Sequence, residues 1–182
     1  NNDCIVDKNW LKELLKTAQN NPKCFAVNSK ILLYPAIYKY NLKSNDPNLS
    51  LTKSHLLKTI GKTEIAIKII HDENNYFAEI PFDKFNDQII EISNGINTKK
   101  INVSRKKDYY HKIQNAGITV FQNGYGRDNG ALIKDSLQDY EIDKRQYSKT
   151  KEVYAACGGA VLYRKDILKT LGGFDKNFFL YY

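Results

Sequence analysis

Two neighbouring stretches in the middle of the chain alternate between apolar and other residues, and this alternation restricts the folds open to the sequence. Each stretch places apolar residues on one side: Ile65, Ile67 and Ile69 in residues 64–70, and Tyr76, Ala78, Ile80 and Phe82 in residues 76–82. Because successive side chains of a strand point to opposite faces, this period predicts two half-buried antiparallel strands. The polar residues 72–75 predict the loop between them.

These two stretches belong to a longer, charged and β-rich segment, residues 41–110. Residues 89–92 (IIEI) and 101–103 (INV) flank Asn94-Gly95, a dipeptide that favours a hairpin turn. The segment therefore predicts a small antiparallel meander or sandwich. Its one basic run, residues 105–107 (RKK), is interpreted as a solvated strand end, because a nucleic-acid module usually carries a concentrated basic face with stacking aromatics.

The front of the chain combines strand and helix patterns. Residues 3–6 (DCIV) predict the end of a buried strand, and Asp7 is the expected helix cap. Apolar residues at helical spacing predict the helix itself: Trp10, Leu11, Leu14, Leu15 and Ala18. The helix should end at residues 20–22 (NNP), and residues 24–27 (CFAV) and 30–34 (KILLY) predict two short strands.

The last part of the sequence is rich in small and aromatic residues. Residues 154–165 run from a small-residue turn into a buried-strand pattern, and the apolar spacing over residues 167–171 predicts a short amphipathic helix. Gly158 and Gly159 can adopt backbone angles closed to other residues, which would let the main chain approach a ligand closely. A simpler interpretation is a glycine that caps a helix, together with ordinary core aromatics.

The amino-acid composition indicates which kinds of partner the protein could bind. The 182 residues carry a formal charge of +8, which favours anionic partners such as a nucleotide diphosphate, an anionic lipid surface or nucleic acid. A compositional bias towards Lys and Asn would explain the same charge without any partner. Cys4, Cys24 and Cys157 lie in apolar stretches without metal-ligand spacing, so we expect reduced core residues in a cytosolic setting. The sequence has no apolar run of transmembrane length.

Several motifs together resemble one enzyme family. Residues 156–165 (ACGGAVLYRK) and 171–182 (LGGFDKNFFLYY) resemble the acceptor-side half of family 2 glycosyltransferases of the GT-A fold. Residues 1–11 (NNDCIVDKNWL) resemble the end of that family's Asn-Asn-Asp strand and the helix after it. Residues 113–117 (IQNAG) and 124–130 (GYGRDNG) are similar to a later strand and to a loop at the mouth of the family's active site.

The resemblance implies an α/β fold, namely a partial GT-A (Rossmann-like) glycosyltransferase domain with a β-rich insertion. Residues 1–40 would form the segment that starts at the metal-binding motif, residues 41–110 the insertion, and residues 111–182 the acceptor-side segment. The family's first nucleotide-binding units have no counterpart in these residues, so we expect this span alone to be inactive. The insertion could be a carbohydrate-binding accessory, an oligomer contact or a mere elaboration.

On the donor side, the resemblance assigns three residues. Asp3 would bind Mg²⁺ or Mn²⁺, which neutralises charge on the departing diphosphate, and Asn2 would contact the nucleotide or orient Asp3. Arg127 would meet a phosphate of the donor. The alternatives are that Asp3 is a solvated turn residue or a helix cap, and that Arg127 belongs to a surface loop without a ligand.

On the acceptor side, the resemblance assigns Gly158, Gly159, Arg164 and Asp175 to the lining of the cleft. The family places its catalytic base in a Glu-Asp pair that would follow Tyr182, so no catalytic residue is assigned within this sequence. Asp175 is the nearest carboxylate, and we interpret it as a residue that caps and orients its loop.

These expectations describe an inverting glycosyltransferase that moves a sugar from a nucleotide-diphosphate sugar to a glycan or lipid-linked acceptor in bacterial surface polysaccharide synthesis. It would act in the cytoplasm, at the inner face of the membrane with a peripheral membrane contact, and would bind no nucleic acid. Two other classes stay open. A glycan- or protein-binding β-rich module without catalysis predicts an exposed aromatic groove on residues 41–110. A basic nucleic-acid or phosphate-binding protein predicts affinity that falls steeply with salt.

Overall fold

The computed structural model of the protein describes residues 4–42, 56–60, 63–72, 75–82, 89–102, 109–134 and 137–177. The chain divides into two compact units. Unit 1 joins residues 1–31 to residues 113–182, and unit 2 consists of residues 32–112. The predictions for Asn2 and Asp3, and residues 178–182 (FFLYY), lie outside the described residues.

The described residues include two helices and fifteen strands. The helices are α1 (Trp10–Asn20) and α2 (Lys165–Thr170). The strands up to residue 82 are β1 (Ala26–Asn28), β2 (Ile31–Leu32), β3 (Ala36–Asn41), β4 (Leu56–Ile60), β5 (Thr63–Asp72) and β6 (Asn75–Phe82). The next strands are β7 (Ile89–Ser93), β8 (Thr98–Asn102), β9 (Tyr109–Tyr110), β10 (Ile113–Asn115) and β11 (Ile118–Val120). The last are β12 (Gly126–Asp128), β13 (Ala131–Lys134), β14 (Leu137–Tyr140) and β15 (Val161–Tyr163).

Unit 2 is built on one antiparallel sheet with the strand order β8-β7-β4-β5-β6-β3-β9. The two alternating stretches of the sequence lie in β5 and β6, which pair in the register Ile69↔Ala78 and Ile70↔Phe77. This confirms the predicted strand pair. Asn94 and Gly95 form the turn between β7 and β8, where Asn94 Oδ1 accepts hydrogen bonds from two of the following amides.

One face of this sheet forms the hydrophobic core of unit 2. The strands place every second side chain on that face, and the buried residues are Ala36, Tyr38, Tyr40, Leu42, Ile67, Ala78, Ile80, Phe82, Ile90, Ile92 and Ile101. Lys58 is also buried, and its Nζ donates a hydrogen bond to the carbonyl of Pro81 over 2.9 Å. The donated bond offsets part of the cost of burying the ammonium group.

Unit 1 is organised around an antiparallel pair of short strands that are far apart in sequence. β1 pairs with β15 in the register Ala26↔Tyr163, Val27↔Leu162 and Asn28↔Val161. Helix α1 packs on β1, with Leu14 as its buried residue, and the indole Nε1 of Trp10 donates to Ser29 Oγ over 3.1 Å. This unit also contains the short strand β10 and two antiparallel hairpins, β11–β12 and β13–β14.

The predicted helix α1 is confirmed, but the segment before it differs from the expectation. Residues 4–7 form no strand, and Ile5 and Val6 are 64% and 63% exposed, so the predicted buried strand end is wrong for the described part of the segment. Asp7 is not the helix cap: the cap position is Asn9, and Asp7 Oδ1 accepts the Asn9 amide over 2.8 Å. Cys4 is exposed, contrary to the predicted core position.

The predicted α/β, Rossmann-like GT-A fold class is wrong. That class needs parallel strands joined by helical crossovers of a dozen or more residues. Here β1–β15, both hairpins of unit 1 and all pairs of the sheet in unit 2 are antiparallel. The described helices contribute only the eleven residues of α1 and the six of α2. The architecture of the described residues is therefore predominantly β, in separate antiparallel sheets.

Candidate functional site

The small-residue turn at residues 157–160 is held at both ends by the end of β1. Asn28 Oδ1 accepts a hydrogen bond from the Cys157 amide over 2.8 Å. The carbonyl of Ala160 accepts hydrogen bonds from the Ser29 amide over 3.0 Å and from Ser29 Oγ over 3.2 Å. These contacts join residues about 130 positions apart in sequence. They fix the turn beside the carboxyl end of β1.

The two glycine pairs of the last part of the chain, residues 158–159 and 172–173, differ in backbone conformation. A Cβ at Gly158 would meet open space, whereas a Cβ at Gly159 would lie 3.3 Å from Ile31 Cδ1. Neither glycine has a positive φ, so the predicted special backbone angles are wrong for this pair. Positive φ values of 85° and 84° occur instead at Gly172 and Gly173, whose amides donate to carbonyls in the last turn of α2. These two glycines end the helix in a Schellman motif, as the simpler interpretation predicted.

Arg164 binds the main chain at the end of α1. Its guanidinium donates hydrogen bonds to the carbonyls of Ala18, Asn21 and Cys24. The last carbonyls of a helix have no intrahelical partner and carry partial negative charge, so a cation with several donors is well suited to them. Within unit 1, the side chain therefore joins α1 to β15, and a contact with an acceptor remains a prediction.

The β11–β12 hairpin exposes a cation beside an aromatic ring. Residues 121–125 form its turn, in which the Phe121 amide donates to the Tyr125 carbonyl and the Gly124 amide donates to the Phe121 carbonyl, both over 2.9 Å. Arg127 lies in β12, and its guanidinium carbon is 5.4 Å from the centre of the Phe121 ring. This is a cation–π distance, and it orients Arg127 while leaving the residue exposed.

The β11–β12 hairpin contacts the chain just before the small-residue turn. The amide of Ile118 donates to the carbonyl of Ala155 over 2.9 Å, and the two residues form a β-bridge. The neighbouring Tyr154 is highly exposed. Gly117, with φ of 93°, allows this approach, because a Cβ there would lie 2.6 Å from Val153 Cγ1. The chain therefore contacts β11 at Ala155, two residues before the turn.

We call the exposed parts of Phe121, Arg127, Tyr154 and Gly158 the hairpin–turn surface. It offers a cation, two exposed aromatic side chains and an open turn, which are groups that polar ligands can contact. A guanidinium binds phosphate or carboxylate oxygens with two parallel hydrogen bonds, and aromatic rings pack against the flat faces of sugars or bases. A glycine without a side-chain neighbour leaves main-chain groups accessible. Of the residues assigned by resemblance, this surface includes Arg127 and Gly158.

Tyr147 and Glu141 form a polar pair near Arg127. The Tyr147 hydroxyl donates to Glu141 Oε1 over 3.2 Å, and Gln146 Nε2 donates to Glu141 Oε2 over 2.9 Å. Lys151 Nζ lies 4.8 Å from the centre of the Tyr147 ring. Burial raises the pKa of Tyr147 above its ordinary value, the negative charge of Glu141 and the hydrogen bond to it raise it further, and the charge of Arg127 opposes them.

We expect Tyr147 to ionise at a higher pH than an ordinary tyrosine, whose pKa is about 10. The folded state then keeps a proton that the unfolded chain loses, so unit 1 should lose stability as the pH rises from about 10 through the raised pKa. Phenolate absorbance of the wild-type protein, minus that of Tyr147→Phe, should show this single titration. Glu141→Gln removes a charge that raises the pKa, so the titration should move to lower pH. An unchanged titration in Glu141→Gln would contradict the assignment.

The remaining assigned residues contribute little to this surface. Asp175 is exposed, and its Oδ1 accepts the amide of Asn177 over 2.9 Å, which is the loop-capping geometry. The described residues contain no group of three or more His, Cys, Asp or Glu side chains that could hold a metal ion. Because Asp3 lies outside them, its role as a metal ligand stays a prediction.

Sequence reasoning missed Asn28, Ser29, Tyr147 and Tyr154. For Asn28 and Ser29 a signal was present, because two polar residues directly follow the apolar residues 24–27 at the end of a strand. Tyr147 contacts Glu141, and Tyr154 contacts β11. No local sequence pattern predicts either contact.

Comparisons with protein-family models, with curated proteins and with solved structures found no match to this chain. Among the helices that the structure describes, none has both the length and the apolar character needed to cross a membrane. The function is therefore argued from the residues alone.

Proposed function

We propose that the chain is part of an inverting, family 2-like glycosyltransferase. It would transfer a sugar from a nucleotide-diphosphate sugar to a glycan or lipid-linked acceptor in bacterial surface polysaccharide synthesis, in the cytoplasm at the inner face of the membrane. The proposal rests on motif content and on local contacts, and not on a Rossmann-like arrangement of parallel strands.

One observation carries the proposal. The two motif-bearing parts of the sequence, residues 1–31 and residues 113–182, belong to one compact unit although more than eighty residues separate them. Asn28 and Ser29 hold the Ala-Cys-Gly-Gly turn at the end of β1, and Arg164 holds the following strand against the end of α1. The described parts of the two motif-bearing segments are thus joined within unit 1, and this proximity is what supports the proposal.

In this proposal, Arg127 contacts the donor directly. Its exposed guanidinium would pair with phosphate oxygens of the donor and stabilise the negative charge that develops on the leaving diphosphate. The ring of Phe121 holds the guanidinium in place, so less rotamer freedom is lost on binding. Tyr154 and the open turn at Gly158 would contact the sugar or the acceptor. No described residue is assigned as the catalytic base.

The alternative of a glycan-binding β-rich module has less support. It needs an exposed aromatic groove on unit 2, but Tyr38, Tyr40 and Phe82 are buried in the core of that unit. Phe77, on the opposite face, lies beneath the ammonium of Lys39 at 3.9 Å from the ring centre. Of the described aromatic side chains of unit 2, two tyrosines are exposed, and the others are buried or half-buried.

The test is calorimetric titration of a form of the protein extended at both ends, which would include the nucleotide-binding units, with uridine diphosphate and thymidine diphosphate, with and without Mn²⁺. We expect one of them to bind, and Arg127→Gln should weaken that binding by about tenfold or more, because a hydrogen bond to a charged group contributes about 1.5–3 kcal/mol. Lys149→Gln is the matched control, since it removes the same charge from another exposed position. Asp3→Asn should abolish any dependence on Mn²⁺.

Two results would overturn the proposal. One is the absence of binding by either nucleotide under every metal condition. The other is an equal loss of affinity in Arg127→Gln and Lys149→Gln, which would indicate a general response to positive charge and no site at Arg127.

A further inference from the structure

Helix α1 exposes an apolar stripe beside a stripe of lysines. Leu14 is buried against unit 1, but Leu11 and Leu15, one turn apart on the helix, are 52% and 45% exposed. Lys12 and Lys16 follow each leucine by one position and are exposed as well. The apolar side of α1 is therefore wider than the part that unit 1 covers, and basic residues border the uncovered part.

Further basic and apolar residues lie around this face of α1. Lys8 is exposed one turn before Lys12, and the exposed residues Ile5 and Val6 precede it in the chain. Next to Leu15 opens a cavity of about 230 Å³, whose lining includes the side chains of Phe25 and Leu162. An apolar group placed on the leucines would thus find further apolar surface close by.

We propose that this face of α1, defined by Leu11, Lys12, Leu15 and Lys16, binds the surface of an anionic lipid bilayer. A helix with leucines beside lysines can lie in the plane of the interface, where the leucines enter the acyl boundary and the lysines meet the lipid phosphates. The net charge of +8 favours such a partner. The proposal does not rest on the transferase assignment.

The lysines also argue against the main competing occupant, a second copy of the chain. In a two-fold interface centred on this face, Lys12 and Lys16 would meet the same lysines of the other copy. Like charges in such a juxtaposition disfavour association, whereas lipid phosphates compensate them.

The experiment is co-sedimentation of the whole protein with vesicles of phosphatidylcholine alone or mixed with phosphatidylglycerol. We expect binding to the mixed vesicles, little binding to the neutral ones, and release by salt. Lys12→Gln combined with Lys16→Gln should weaken binding about 25-fold, or about fivefold for each lysine near the anionic surface. Leu11→Ser combined with Leu15→Ser should weaken it about tenfold, because the apolar contact is lost.

The matched control is Lys165→Gln combined with Lys169→Gln, which removes two exposed charges from α2, also one turn apart. It should bind vesicles nearly as well as the wild type, and circular dichroism should show that all variants are folded. No binding to mixed vesicles, or equal loss in the α1 and α2 lysine variants, overturns the proposal. So does a dimer in sedimentation velocity without lipid that Leu11→Ser with Leu15→Ser converts to a monomer. Titration with nucleotide diphosphates should be the same in all these variants, which separates this outcome from that of the transferase test.

Discussion

Replacing Gly130 by alanine should cost unit 1 about 3–5 kcal/mol of unfolding free energy, which is a large part of the stability of a typical domain. Gly130 has a φ of 107°, and an added Cβ would lie 2.6 Å from Ile113 Cγ2 and 2.8 Å from the Ile113 carbonyl oxygen. Ile113 is fully buried, so neither its side chain nor its main chain can move aside cheaply.

Gly130 and Ile113 also form main-chain hydrogen bonds with Glu141. The carbonyl of Gly130 accepts from the Glu141 amide, and the carbonyl of Glu141 accepts from the Ile113 amide, each over 2.8 Å. A shift of Gly130 would lengthen both bonds. Hydrogen exchange should therefore show faster exchange at the amides of Glu141 and Ile113 in Gly130→Ala.

Gly124→Ala is the matched control for this prediction. Gly124 also lies in unit 1 and has a positive φ of 85°, but an added Cβ there would meet nothing within 4 Å. It should cost only the backbone strain, about 1–2 kcal/mol. If both variants lost the same stability, steric contact with Ile113 would not be the cause.

The second large effect is expected at Arg164. Arg164→Met keeps much of the side-chain volume but removes the donors to the carbonyls of Ala18, Asn21 and Cys24. Because hydrogen bonds from a charged group contribute about 1.5–3 kcal/mol each and this site is only part-buried, we expect a loss of about 2–4 kcal/mol. The loss should appear first as faster hydrogen exchange in the last turn of α1.

Two further variants separate geometry from charge at this position. Arg164→Lys retains the positive charge near the end of α1 but cannot reach three carbonyls with one ammonium, so it should recover only a small part of the loss. Lys165→Met removes a neighbouring exposed charge and should have almost no effect. Full recovery in Arg164→Lys would mean that the charge alone stabilises α1.

The candidate site could be predicted from the sequence only in part. Arg127 and Gly158 were selected by motif resemblance, and both are exposed on the hairpin–turn surface. Arg164 was selected for a ligand, yet its guanidinium contacts main-chain carbonyls of a segment about 140 residues earlier. Asn28, which positions the turn, has a partner 129 residues away, and no local pattern could identify that pair.

Local sequence patterns were sufficient to predict individual elements. The period of two in residues 64–82 specified β5 and β6, and the helical spacing from Trp10 to Ala18 specified α1, because both signals depend only on neighbours within a few residues. How these elements combine depends on pairing between residues that are far apart in the chain. Strands of three residues such as β1 and β15 are too short to show whether their apolar residues alternate or form a continuous run, so their sequence does not distinguish an antiparallel pair from a parallel sheet. The fold class was therefore set by long-range pairing, whose energy depends on contacts that sequence periodicity does not specify.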